Sequence, residues 1–305
     1  ETFRIELGNP SPLNPRVSIT QGVTEVRIAD DDQATRVDKV FGNGARTDVV
    51  DGAQGTATGL RTPLRPALDA DGNLYVIAYY EARIYRLSPD GTVTHIAGSG
   101  AGGSTGDGGL AKDASLASPF GLAIDGRGLF VSEVDTQVGA LRRIDLDTNI
   151  ITRVADLPGL EDLYRSAPGV LHAADRRQSR ILRIDLHNGN PTVVAGTGLY
   201  GAGPENVPAP SSPIATPRAV FVDPNGDVYF AEYHRIRRVD AGTGLISTVA
   251  GQLSSGFSGD GGPAIDAELT DPTDIERLPS GELLIIANGR FRTIDRQGII
   301  RTIGG

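Results

Sequence analysis

The chain contains no cysteine, no methionine and no tryptophan, and Lys39 and Lys112 are its only lysines. Without cysteine there is no disulfide framework, no thiolate metal site and no cysteine nucleophile. No stretch approaches the run of about twenty apolar residues that a membrane-spanning helix requires. The formal charge of −9 over 305 residues argues against nucleic-acid partners, because affinity for phosphate backbones rests largely on Lys and Arg. A chain that starts at Glu1 without an initiator methionine reads as a mature protein freed of a signal peptide, which gives an extracellular or periplasmic expectation.

What the chain has is forty glycines, nineteen prolines and a repeat. Gly106-Asp107-Gly108-Gly109, followed by Ala111, Ala114, Leu116 and Pro119, returns as Gly259-Asp260-Gly261-Gly262, followed by Ala264, Ala267, Leu269 and Pro272. The same frame is worn down around Asp51, Leu60 and Pro63 and around Glu205, Ala209, Ile214 and Pro217. Self-similarity at a period of about fifty residues is the mark of a propeller or solenoid. Within one copy, Ala67–Asp69, Leu74–Ala78, Arg83–Leu87 and Val93–Ala97 are short β-prone runs separated by Asp-Gly and Gly turns. Four such runs predict an antiparallel meander, the blade of a propeller.

Further copies run from Pro119 to about Asp156, from about Leu160 to Gly196, from Pro217 to Gly251 and from Pro272 to Gly305. A sixth, at Glu25–Asp30 and Arg36–Asp38, precedes them. The reading is therefore an all-β, six-bladed propeller of four-stranded antiparallel blades over residues 23–305. Residues 1–22 fit the frame poorly and are read as an N-terminal linker or as an outer strand, Thr2–Leu7, for the first or last blade.

The runs Pro119-Phe120-Gly121-Leu122-Ala123-Ile124-Asp125, Asp227–Glu232, Arg235-Ile236-Arg237-Arg238-Val239-Asp240 and Ile246-Ser247-Thr248-Val249-Ala250-Gly251 resemble the NHL repeat family, and the Gly-Asp-Gly-Gly loop resembles its bacterial branch. The resemblance covers about residues 23–305 and implies a six-bladed propeller. It implies no single function, since such propellers serve as enzymes, adhesion modules and scaffolds.

Two sets of side chains carry the expectations about function. Where first strands start, Arg65, Asp162 and Asp274 depart from the repeat at the position of Gly121, with Phe120, Glu161 and Arg218 beside them. They are expected at a channel mouth, either gripping a polar ligand or forming an ion-pair network. Asp30, Tyr79, Glu133, Asp175, Glu232 and Asn288 close the second strands. They either accept N–H bonds from the following turn or, in Glu133, Asp175, Glu232 and Asn288, supply oxygens to calcium, which takes six to eight. Calcium-dependent propeller hydrolases and lyases use such carboxylate and Asn sets, so that class is the alternative.

Of the four histidines, His95 falls on a fourth strand and His187 in a turn, so a three-imidazole zinc site is not expected. His172 takes the place of Tyr75, Phe130 and Tyr229 on a second strand and is expected to be packed there. Asp260, like Asp51, Asp107 and Glu205, lies twelve residues before a blade's first proline and is expected to cap one helical turn. No nucleophile elbow, phosphate loop or His-Glu-x-x-His motif occurs. The leading expectation is a binding or scaffolding propeller, without cofactor, for a protein or glycan partner; its oligomeric state is left open.

Overall fold

The computed structural model describes residues 40–45, 47–135 and 137–305. They form five sheets, each built on a meander of four consecutive antiparallel strands, one of which gains a short fifth strand at its edge. Blade 1 comprises β1 (Pro63–Leu68), β2 (Leu74–Ala78), β3 (Arg83–Leu87) and β4 (Val93–Ala97), and blade 2 comprises β5 (Pro119–Asp125), β6 (Gly128–Glu133), β7 (Leu141–Asp145) and β8 (Ile151–Ala155). Blade 3 comprises β9 (Leu160–Ala167), β10 (Val170–Asp175), β11 (Arg180–Asp185) and β12 (Pro191–Ala195). Blade 4 comprises a two-residue β13 (Val207–Pro208), then β14 (Pro217–Val222), β15 (Val228–Glu232), β16 (Arg235–Val239) and β17 (Leu245–Ala250). Blade 5 comprises β18 (Asp274–Arg277), β19 (Leu283–Ala287), β20 (Arg290–Ile294) and β21 (Ile300–Gly304). The sixth copy and residues 1–22 lie outside the described residues.

The chain divides beside Leu160 into two compact units, blades 1 and 2 in one and blades 3 to 5 in the other. In the first, Ile77, Ile84, Leu116, Leu129, Val131 and Ile144 fill a core between the two sheets. In the second, Ile181, Val220, Phe230, Ile236, Leu269 and Ile285 do the same. The middle strands are buried on both faces, which is why Leu74–Ala78 and Val228–Ala231 read as nearly continuous apolar runs rather than as alternation.

The first strands begin, the second end, the third begin and the fourth end at one pole of every sheet, called here the loop end. The residue before each blade's leading proline is held in the left-handed region: Thr62 (φ 47°), Ser118 (φ 52°), Thr216 (φ 42°) and Asp271 (φ 47°). Such a backbone costs about 1–3 kcal/mol for a non-glycine residue and persists only where surroundings impose it. Here the Thr62 carbonyl accepts the Tyr79 N–H and the Ser118 carbonyl accepts the Val134 N–H. Blade 3, whose first strand does not begin with proline, has Gly159 (φ 97°) at this place.

Every third-to-fourth strand pair carries a bulge near the loop end, after Ile84, Leu141, Ile181, Ile236 and Phe291. The bulge sets the residue opposite His95, Arg153, Val193, Thr248 or Thr302: Tyr85, Arg142, Leu182, Arg237 and Arg292, respectively. Before four of the five blades, a loop runs along the fourth strand as a strap. The N–H groups of Gly52, Gly108, Asn206 and Gly261 donate to the carbonyls of Val93, Ile151, Ile246 and Ile300. Covering an edge in this way removes a template for unwanted pairing. Blade 3 follows the short connection 156–159, and among the described residues no strap pairs with β12.

Candidate functional site

The acids of three straps, Asp107, Glu205 and Asp260, lead to buried polar centers. Arg142, Arg237 and Arg292 on the third strands are almost wholly buried. Arg142 donates through Nε to Asp107 (3.0 Å), through Nη1 to the Ser115 carbonyl (2.8 Å) and Glu133 (3.2 Å), and through Nη2 to the Thr105 carbonyl (3.1 Å). Arg237 donates to Glu232 at 2.9 Å and lies 3.3 Å from Glu205. Arg292 donates to Asp260 at 2.6 Å and to the Ser258 carbonyl at 2.8 Å. A planar guanidinium suits this work because it offers five donors in a fixed fork.

The second-strand residues complete the same centers. Glu133 accepts the Ala117 N–H (3.2 Å) and the hydroxyl of Ser104, and Glu232 accepts the Ala215 N–H (2.7 Å) and Arg235 (2.5 Å). Asn288 accepts the Thr270 N–H at 2.6 Å and donates to the Gly256 carbonyl at 3.1 Å. The backbone N–H donors, on Ala117, Ala215 and Thr270, belong to the segment entering the first strand and not to the turn after the second. Only Asp175 meets the expected turn, accepting the Gln178 N–H at 2.9 Å, with Arg180 at 3.1 Å. Burial pushes the Glu133 carboxyl above its ordinary range, against the pull of Ser104, Arg142 and the Ala117 N–H.

Glu133, Asp175, Glu232 and Asn288 therefore fit calcium poorly. Glu133 and Glu232 already have buried guanidinium groups within 3.2 Å, which oppose a second cation. Among the described residues no three His, Asp or Glu side chains are grouped to hold a metal.

Asp260 is not a helix cap. The short helical turn Ala264–Asp266 starts after Pro263, and no side chain caps it. Burial pushes the Asp260 carboxyl up, but Thr302 and Arg292 more than offset this and hold it below the usual range. Asp51 and Glu205 likewise accept the N–H groups of His95 and Thr248, each at 2.7 Å. Asp260→Ala strips a buried cation of its carboxylate and is expected to lower stability by about 1–2 kcal/mol; a thermal melt checks it.

The residues expected at a channel mouth are largely paired within their own units. Glu161 accepts Arg176 at 2.6 Å, Arg218 lies 3.0 Å from Asp271, and buried Asp162 accepts the Val220 N–H of the neighboring blade at 2.9 Å. Asp274 accepts the N–H of Ile275. In the first unit Arg65 sits half-buried at a β1 bulge with φ 39°, and Phe120 packs edge-to-face on Tyr79 at 6.2 Å. Tyr79 in turn meets Tyr80 at 5.5 Å, and Tyr80 is 70% exposed.

Tyr80 belongs to a pattern that sequence reasoning missed. Among the described residues, seven of the eleven exposed large hydrophobic residues sit in second-to-third-strand turns or connecting loops at the loop end: Tyr80, Val138, Leu199, Tyr200, Tyr233, Leu253 and Phe257. The other four, Val50, Leu110, Val193 and Ile265, lie on straps, on the helical turns that follow them or on an edge strand. None is in a turn at the opposite pole, where Asp69, Asp145, Asp240 and Asp295 fold tight turns by accepting nearby N–H groups. Loop lengths and turn membership, both readable from the repeat frame, were the available signal.

No family model matches the chain. Teneurin-1 of Mus musculus is 28% identical over 237 residues, and teneurin-4 of Mus musculus is 28% identical over 232. These segments cover 63% and 61% of this chain but 8% of each teneurin, so the chain spans a small part of the relatives it matches. Among solved structures, an auxiliary nutrient binding protein from Bacteroides ovatus aligns over 98% of this chain and 76% of its own, with a TM-score of 0.60 at 14% identity. A streptogramin B lyase aligns over 99% and 87%, with a TM-score of 0.55 at 16% identity. Identities this low speak to fold, and together with the five meanders they make this an all-β protein with the four-stranded antiparallel blades of a β-propeller.

Proposed function

We propose that the chain is a recognition propeller, six-bladed and of the NHL type, that binds a protein or glycan partner through its loop end outside the cytoplasm. The observation that carries this lies within the unit of blades 3 to 5, where the exposed apolar side chains of turns and connecting loops, Leu199, Tyr200, Tyr233, Leu253 and Phe257, all sit at the loop ends of their sheets. Exposed apolar residues gathered on loops over a rigid scaffold are the usual dress of an interaction surface. The candidate calcium ligands support this reading over catalysis, because their oxygens are engaged by arginines and backbone N–H groups.

The test is a panel of immobilized polysaccharides and secreted proteins probed with the intact chain. Leu199→Ser combined with Tyr200→Ser is expected to weaken whatever binds by about tenfold or more, while Gln297→Ser, in a turn at the opposite pole, leaves it unchanged. Binding indifferent to the loop-end pair would overturn the proposal.

A further inference from the structure

Three of the four strapped blades share a two-bond code. A strap acid takes the N–H of one fourth-strand residue: Asp51 takes that of His95, Glu205 that of Thr248, and Asp260 that of Thr302. The next strap residue, Gly52, Asn206 or Gly261, donates its own N–H to the carbonyl two positions earlier, on Val93, Ile246 or Ile300. In blade 2 the second bond recurs, with Gly108 donating to Ile151, while Asp107 pairs with the side chains of Arg142 and Arg153.

In blade 3 the matching positions are Pro191 and Val193, by their register opposite Ile184 and Leu182. Proline lacks the N–H that Val93, Ile151 and Ile300 donate back to their straps, so ordinary strand addition at this edge is impeded. Both groups that the code requires are nevertheless kept, the Pro191 carbonyl and the Val193 N–H. Residues 191–193 of β12 are exposed, and no hydrogen bond from the described residues reaches their outer edge. Arg180 stands where Arg235 approaches Glu205 at 3.6 Å in blade 4, and its buried Nε has no hydrogen-bond partner among the described residues.

We infer that the outer edge of β12 is a docking site for an extended segment of another polypeptide, in which Asp or Glu precedes a residue with a free N–H, such as Asp-Gly. The acid takes the Val193 N–H and faces Arg180, and the following N–H donates to the Pro191 carbonyl. The chain's own straps are the template, and the missing third bond makes the site selective for the acid rather than open to any strand. This surface is separate from the loop end and does not depend on its role.

A labeled peptide copying residues 104–112 is the probe, titrated onto the full chain with amide exchange read at Val193. The expected result is slower exchange at Val193 on binding, and affinity about tenfold or more lower for the same peptide carrying Asp107→Asn. Val193→Pro removes the N–H and is expected to abolish binding; the Asp107→Asn peptide keeps the test decisive if that variant does not fold. Pro191→Val restores the third bond and should tighten binding. No binding, or binding indifferent to the acid, overturns the inference. So does a Val193 amide already protected in the isolated monomer, which would mean that the chain covers its own edge, and so does self-association lost on Val193→Pro, which would make the occupant a second copy.

Discussion

Arg142→Ala is expected to lower the stability of the chain by about 3–5 kcal/mol, the cost of leaving a buried charge without its partner. Glu133 would remain fully buried with only the Ser104 hydroxyl and the Ala117 N–H, and the carbonyls of Thr105 and Ser115 would each lose the bond from Arg142. The strap would keep its backbone bonds to Ile151 but lose its side-chain anchor, because Asp107 would keep only Arg153 at 3.6 Å. Because burial already pushes the Glu133 carboxyl up, proton uptake relieves part of this penalty, so the gap from the unaltered chain should narrow as pH falls. Arg143→Ala, one residue away, removes a partly exposed pair with Asp145 and should cost well under about 1 kcal/mol. Urea titrations of the two variants give the comparison directly. Equal effects would mean that the buried centers contribute no more than surface ion pairs.

A second large effect is expected from His172. Burial, followed by the nearby charge of Arg183, lowers its pKa from the usual 6.5 to about 4, and its Nδ1 lies 2.9 Å from the Ser166 hydroxyl. The folded state thus holds the imidazole neutral where the unfolded chain already binds a proton. As pH falls from 6.5 toward 4 the unfolded state gains, so the stability present above pH 6.5 is lost progressively and bottoms out below pH 4. A displacement of that size corresponds to about 3 kcal/mol across the window. His172→Phe, which restores the aromatic of Phe130 in blade 2, should remove this dependence and leave the variant less sensitive to pH between 4 and 6.5. Parallel curves for the two proteins in that window would show that His172 titrates normally.

The architecture was legible because each blade repeats its own punctuation. Pro119 and Pro217 mark first-strand starts and Asp-Gly turns mark hairpins, and in the five described copies the four β-prone runs became four strands. What could not be read was which side chains face inward at the fourth-strand bulge. The extra residue lies on the fourth strand, Val154 in blade 2, while the third strand alternates without interruption and holds Arg142 inside and Arg143 partly exposed. Local reasoning also assigned Asp260 to the nearest helical turn, whereas its partner, Arg292, lies 32 residues away.

Comparison among the repeats held the missing clue. Strap acid and buried arginine occur together as Asp107 with Arg142, Glu205 with Arg237 and Asp260 with Arg292. In blade 3, which follows the short connection 156–159, Leu182 takes the arginine's place. Of the residues expected to bind a ligand, Glu161, Asp162 and Arg218 are engaged in holding their own unit together. Phe120 joins the aromatic group that includes exposed Tyr80.

Photo-crosslinking from the two poles of one unit tests recognition by the loop end most directly. Benzoylphenylalanine is placed at Tyr200 in one protein and at Gln297 in another, and both are irradiated with the secreted proteins and surface glycans of the cell that makes the chain. The account predicts a discrete, competable adduct from position 200 and none from position 297. Adducts from position 297 alone, or equally from both, would contradict it.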